Sequence, residues 1–440
     1  MAEAVACRDV GNIFRLLNKR HHMTQHRIAE LAGLADSEIF SITRGRQVMA
    51  YDVLVRIAEG LGIPRGLMGL AYDDEKALNP VPASPLPSLE DSASSQRFVA
   101  TLAGFAVGGA PVIDEWLPIV EEWPGQIPNV VTPAIVATVR DITDRHRRMD
   151  SQYGGGSCRD STLGYLGWAQ CLLRSRCPSD ALLAELRRAL ADLHNLVGWM
   201  SHDLGEQNSA RRHLAQGLAL ATTAGDHTLM ADSYYRLGRV SIHRDNPVEA
   251  LHLFQLGQIV AANSGCLTSV AILHANIGWA YAKIGNATAV RDSLSRAADE
   301  LSRADVAAAP EWTRFFLGAD LDGMSGVVYA ALAQHEEYRQ EHAELATERA
   351  IAALSRRGPL CRSSAFDHVT AAMGFALLRQ RRAAVPHVAA ALEAANAKVH
   401  SRRLVDRLND VADVADVADG QGKDDELGEL VHEIRILANA

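Results

Sequence analysis

The chain has few aromatic residues, 5% of the total, and six cysteines in 440 positions. Cys7, Cys158, Cys171, Cys177, Cys266 and Cys361 form no CxxC pair and no metal-ligand spacing, so neither a disulfide framework nor a structural zinc site is expected. They read as reduced thiols of a cytoplasmic protein, with Cys171 and Cys177 close enough in sequence to merit a redox test. No apolar run reaches the length of a membrane span, and the opening MAEAVACRDV lacks the apolar core of a signal peptide, so no membrane partner is expected. Strand candidates are almost absent. Gly154-Gly155-Gly156 has no strand before it and no Gly-Lys-Ser/Thr after it, which excludes a phosphate loop and leaves a flexible corner. Ser157 lacks the glycine of a nucleophile elbow, because Arg159 stands there. His202 with Asp203 and His243 with Asp245 are acid–base pairs in principle, but no nucleophile motif accompanies them. His21, His22 and His26 have no cysteine or carboxylate at ligand spacing. No enzyme, cofactor or metal is expected.

What is there is apolar helical patterning over a length that suggests two or three domains. The net charge is −9, unevenly spread: residues 1–70 carry nine Lys/Arg against seven Asp/Glu, so the remainder carries −11. A mildly basic head on an acidic body fits a small DNA footprint attached to a domain that avoids DNA.

The head is organised by TQHRIAELAGLADSEIFSITRGRQ, Thr24 to Gln47. Ile28, Ala29 and Leu31 point one short helix inward, Ile39 and Ile42 a second, and Gly33 supplies the turn between them. Val10, Ile13, Leu16 and Leu17 give a preceding helix, and Val53, Leu54, Ile57, Ala58 and Leu61 a following one, so five short helices would fill residues 8 to 70. Over these first seventy residues the sequence resembles the Cro/phage-repressor type helix-turn-helix family called XRE. The longer run RGRQVMAYDVLVRIAEGLGIPRGLMGLAY resembles actinobacterial regulators in which such a domain precedes tetratricopeptide-like repeats. The resemblance implies that the second helix of the motif enters the major groove of double-stranded DNA. By position, Asp36, Ser37, Phe40 and Ser41 would read bases, while Thr24, Gln25, Arg27, Arg44 and Arg46 would face phosphates. Asp36 and Phe40 depart from the family's usual amide and small polar residue, so the operator is not legible.

Four segments follow: 1–71, the DNA-binding head; 72–95, a flexible, extended linker with Pro80, Pro82, Pro85 and Pro87; 96–160, a helical connecting region; and 161–440, a helical repeat body. Repeats show at a period of forty. Gly198, Gly238 and Gly278 recur at that interval, as do Leu214, Phe254 and Leu294, and Gly217, Gly257 and Ala297; Gly225 and Gly265 repeat it at helix C′ positions. This order of small and large residues resembles the tetratricopeptide repeat with lengthened loops. The expected fold is therefore all-α, a five-helix head plus an α-solenoid of helix pairs. Asp410 to Asp419 is either a last capping helix or a solvated acidic segment, and the stripe Leu427, Leu430, Val431, Ile434, Leu437 either caps the stack or joins a second subunit.

A solenoid of helix pairs is lined inside by the first helix of each pair. Projection from the shared glycine puts Asn195, Trp199, His202, Tyr235, Arg239, His243, Trp279 and Lys283 in one concave groove, with the residue types of binding hot spots. Two functions follow from different classes. One is a homodimeric transcriptional regulator whose body binds a peptide or small-molecule effector and sets the spacing of two heads on a palindromic operator. The other is a protein-interaction scaffold with weak or vestigial DNA binding.

Overall fold

The computed structural model describes residues 10–21, 23–46, 48, 51–61, 92–113, 116, 125–357, 362–397, 399–418 and 426–439. The chain divides into two compact units, Met1–Leu86 and Pro87–Ala440. Among the described residues there is no strand, only an isolated bridge between Val130 and Arg176.

In the first unit α1 (Val10–His21), α2 (Gln25–Ala32), α3 (Asp36–Thr43) and α4 (Tyr51–Gly60) surround one core. Its centre is Ile13, Phe14, Ile28, Ile39, Ile42 and Ile57, all nearly free of solvent. Helix α2 begins where the Thr24 hydroxyl accepts from the Arg27 N–H at 3.2 Å, satisfying one of the donors a helix start leaves open. It stops at Gly33, whose φ of 62° is the left-handed region that only glycine enters freely. The Glu38 carboxylate then accepts from the Ala35 N–H at 3.1 Å and starts α3. The fifth expected helix and residues 72–91 of the expected linker lie outside the described residues.

The second unit opens with α5 (Ser92–Ala106), so helix begins before the expected linker end at residue 95. Next come α6 (Pro133–Tyr153) and α7 (Arg159–Cys171). The expected connecting region is not a separate layer: Phe98, Leu102, Phe105, Trp116, Val136 and Val139 belong to the same core as the repeats. Helix α8 (Asp180–Asp203) runs through Gly198 without a break.

The period of forty is seen in α8 with α9 (Gln207–Thr223), α10 (His227–His243) with α11 (Pro247–Ser264), and α12 (Leu267–Ile284) with α13 (Ala287–Arg303). Asp226, Asn246 and Asn286 accept from the first backbone N–H groups of α10, α11 and α13, which is why each helix restarts on schedule. The repeated glycines are where paired helices touch. A Cβ on Gly198 would lie 2.8 Å from Leu214 Cγ, and one on Gly238 would lie 2.3 Å from Cε1 at the edge of the Phe254 ring.

Helices α14 (Gly318–Leu332), α15 (Arg339–Arg356), α16 (Arg362–Leu377) and α17 (Arg381–Ala397) continue the pairing less regularly. The acidic tail is helical in α18 (Arg402–Ala418), and α19 (Glu426–Asn439) buries Leu427, Val431 and Ile434 against α17 and α18, so its apolar stripe caps the stack.

The stack does not stay open. Helix α18 returns to α8, and α16 to α6. The return is seated on the triple glycine: His400 N–H donates to the Tyr153 carbonyl at 2.8 Å, and Gly156 N–H donates to the His400 carbonyl at 3.1 Å. A Cβ on Gly154 would lie 2.7 Å from the His400 oxygen, and one on Gly155 2.8 Å from the Met200 oxygen. The expected flexible corner is instead a packed seat whose glycines let two backbones meet.

Candidate functional site

Two sets of residues were singled out by the sequence, one in each unit. In the head, Thr24, Gln25, Arg27, Asp36, Ser37, Phe40, Arg44 and Arg46 are all exposed, and Ser41 is half-buried. They share the outer side of α2, the turn and α3. Several are already engaged with each other. Arg27 pairs with Glu30 at 2.8 Å and holds that carboxyl below its ordinary range. Ser41 Oγ donates to the Ser37 carbonyl at 2.9 Å, one turn back, leaving its oxygen free to accept. The Arg44 guanidinium stacks over the Phe40 ring at 4.3 Å, so that the unusual aromatic braces a cation beside the surface. His26 Nδ1 lies 3.2 Å from the Asp36 carboxylate and ties the start of α2 to the start of α3. Sequence reading missed that pair, because ten residues separate its members.

In the body, seven of the eight projected groove residues converge: Trp199, His202, Tyr235, Arg239, His243, Trp279 and Lys283. The Arg239 guanidinium lies 5.6, 5.9 and 4.9 Å from the ring centres of Trp199, Tyr235 and Trp279. His243 packs edge-on against both His202 and Trp279, at 4.8 and 5.2 Å between ring centres. Lys283 stands further out, 30% exposed, and pairs with Asp245 at 3.2 Å.

The expected open groove, however, is not there. His202, Tyr235 and Trp279 are buried, and α18 returns to α8 on this face. Arg403 from α18 lies 4.8 Å over the Trp199 ring, and Trp312 stacks beyond Tyr235 at 6.4 Å. Asn195 is corrected outright. It is fully buried, donates to Asp232 at 3.0 Å and accepts from Ser233 Oγ at 2.9 Å, so its amide joins helices and is not available to hold a ligand's backbone.

Burial decides the electrostatics. His202 is pushed down to about 3 by loss of solvent and then by the neighbouring Arg403 charge, and His243 falls well below the ordinary histidine range for the same first reason, so both are neutral near pH 7. His243 Nδ1–H donates to the Arg239 carbonyl at 2.7 Å, and His202 Nδ1 meets Gln207 Oε1 at 2.8 Å. Asp203 accepts from the Gly155 N–H at 3.0 Å and from Ser401 Oγ at 2.9 Å, and pairs with Arg362 and, at 3.2 Å, with Arg403. Burial alone would raise its carboxyl, and the two guanidinium groups hold it below the usual range. Asp203 thus serves as a structural clamp on the returning chain, and its carboxylate is engaged there and not with His202.

Ser161 Oγ lies 3.4 Å from His146 Nε2, but that hydroxyl donates to the Cys158 carbonyl at 2.8 Å, and His146 Nδ1 is buried without a hydrogen-bond partner. The pair lacks the orienting group of an activated nucleophile. Cys158, Cys171, Cys177 and Cys266 are free thiols, and no group of three or more metal-ligating side chains occurs among the described residues. Nor is any described helix long and apolar enough to cross a membrane.

No protein-family model matches the chain, no curated protein is significantly similar to it, and no solved structure matches it.

Proposed function

We propose that this protein is a cytoplasmic DNA-binding transcriptional regulator of the XRE helix-turn-helix type, acting as a homodimer, whose tetratricopeptide-like body senses a small-molecule effector. The observation that carries the DNA reading is the exposed α2–turn–α3 surface, where Asp36, Ser37, Phe40 and Ser41 line one helix and Arg44 and Arg46 stand at its exit. Base edges are met by the first group and phosphates by the second, together with Thr24, Gln25 and Arg27. Of the two effector classes a small molecule is favoured over a peptide, because an extended peptide needs an open groove and His202, Tyr235 and Trp279 on this face are buried.

The test is binding of the full chain to genomic double-stranded fragments across a salt series. Arg44→Ala with Arg46→Ala should weaken all sequences alike and flatten the log–log salt slope by about one unit per lost phosphate contact, whereas Ser41→Ala should change base preference. Unchanged affinity of the double variant sinks the proposal. One observation favours a second reading, a ligand-free interaction scaffold: Asn195, His202, Tyr235 and Trp279 are packed as core residues are. Co-purification of a defined protein partner with DNA-binding-dead variants would support that reading.

A further inference from the structure

We propose that the interior of the body is an anion site, in which Arg239, Arg403 and Arg407 hold the carboxylate or phosphate group of a small metabolite. This rests on the effector reading and names the chemistry of its ligand.

The geometry starts from three guanidinium groups that come from two helices nearly 170 residues apart in the chain. Arg239 and Arg403 both lie over the Trp199 ring, at 5.6 and 4.8 Å, and Arg403 and Arg407 both lie over the Phe366 ring, at 4.8 and 6.0 Å. Carboxylates only partly answer them. Asp203 is shared between Arg362 and Arg403, Asp232 is taken by Arg236 at 2.6 Å, and Asp367 by Arg357 at 2.7 Å. Arg239 has no carboxylate within ion-pair distance among the described residues; its one polar partner is the Tyr235 hydroxyl at 3.3 Å. Arg407 hydrogen-bonds the Thr370 hydroxyl at 3.2 Å and forms no ion pair among the described residues, although the Asp410 and Asp367 carboxylates are near enough to act on its charge.

Donors are left over as well as charge. The Nε atoms of Arg239, Arg403 and Arg362 are buried without hydrogen-bond partners, and the Arg403 side chain is only 8% exposed. A buried guanidinium donor without an acceptor is costly, and three like charges together are costlier. Burial pushes Arg403 down to about 9 and Arg407 to about 10, opposed by Asp203 and Asp410 respectively and aided in both by the Arg239 charge. Proteins hold such a cluster where an oxyanion is to be received, since the flat fork of guanidinium donors matches carboxylate and phosphate oxygens. Arg239 and Arg407 are half-buried where Arg403 is buried, and Lys283 lies further toward solvent. The neutral His202 and His243 and the rings of Trp199 and Trp279 would form the floor for an apolar portion.

The experiment uses the full chain without DNA. Inorganic phosphate and succinate are added at 10 mM against sodium chloride of equal ionic strength, with melting temperature and tryptophan fluorescence as readouts. At least one anion should raise Tm by about 2 °C and change the emission of the tryptophans around Arg239. Arg239→Gln and, separately, Arg407→Gln should remove both responses. The Arg239→Gln protein should melt no lower than wild type in the absence of anion, because one of three repelling charges is gone. Arg291→Gln, exposed on α13, should respond as wild type does. Absence of any anion-specific shift in wild type, or its persistence in both interior variants, overturns the proposal. DNA binding through the head is read in the separate salt-series experiment, so failure of either leaves the other standing.

Discussion

Gly238 is the tightest contact in the repeat, because its missing Cβ is replaced by the edge of the Phe254 ring. Gly238→Ala should therefore cost about 1–3 kcal/mol through overpacking. Gly164 sits in α7, exposed, with nothing within 4 Å of an added Cβ, so Gly164→Ala should stabilise by about 0.5–1 kcal/mol through helix propensity. Urea unfolding of the two variants checks the opposite signs. This contrast explains what was legible at this scale. A glycine every forty residues is a signal because close helix approach forbids a side chain at one fixed place in each pair, whereas Gly164 marks nothing. Asn195 shows the limit: projection finds the face a residue shares but not whether Asp232 and Ser233 across the helix interface already use its amide.

The returning segment before α18 hangs on one carboxylate, Asp203, held by Arg362, Arg403, Ser401 and the Gly155 N–H. Asp203→Ala leaves the buried Arg403 without its carboxylate and Arg362 with only Asp150, at 4.0 Å, and should cost about 3–5 kcal/mol. The loss should be local first: amide hydrogen exchange in residues 402–418 should rise before that in α10 to α13, and equal rises everywhere would count against α18 being fastened there. None of this was readable in the sequence. Asp203 and Ser401 are 198 positions apart, as the hydrogen bond between them records, and a contact made once has no period. The helix pairs themselves were readable, because caps such as Asp226 and Asn246 and apolar spacing act within a few residues. In the head, too, Thr24, Gly33, Ile39 and Ile42 signalled two helices and a turn through local effects alone.

At the scale of the molecule, burial of neutral histidines makes the body acid-sensitive. His202 and His213 are both lowered to about 3, by burial first in each case. Once unfolded they would take up protons below about pH 6.5, so their contribution to stability is present above that pH and is lost as pH falls toward the folded values. Asp367 works in the opposite direction: burial raises it to about 6, so its contribution is present below the ordinary aspartate value and is lost as pH rises through 6. His194 and His243 are lowered by burial as well, so the buried histidines outweigh this aspartate and stability falls as pH drops from about 6.5. Urea midpoints at pH 7, 6 and 5 should fall in that order, and less steeply for His213→Gln. The homodimer proposed for operator binding is checked separately by sedimentation at micromolar concentration, with and without DNA, where a monomer in both would count against it.

An open row of helix pairs can melt from either terminus, one pair at a time, since each leans only on its neighbours. Where α18 lies back on α8 and α16 on α6, that row has lost its free ends. Fraying then has nowhere inexpensive to begin, and the body should denature in one all-or-none step with a urea dependence as steep as the whole of its buried surface requires.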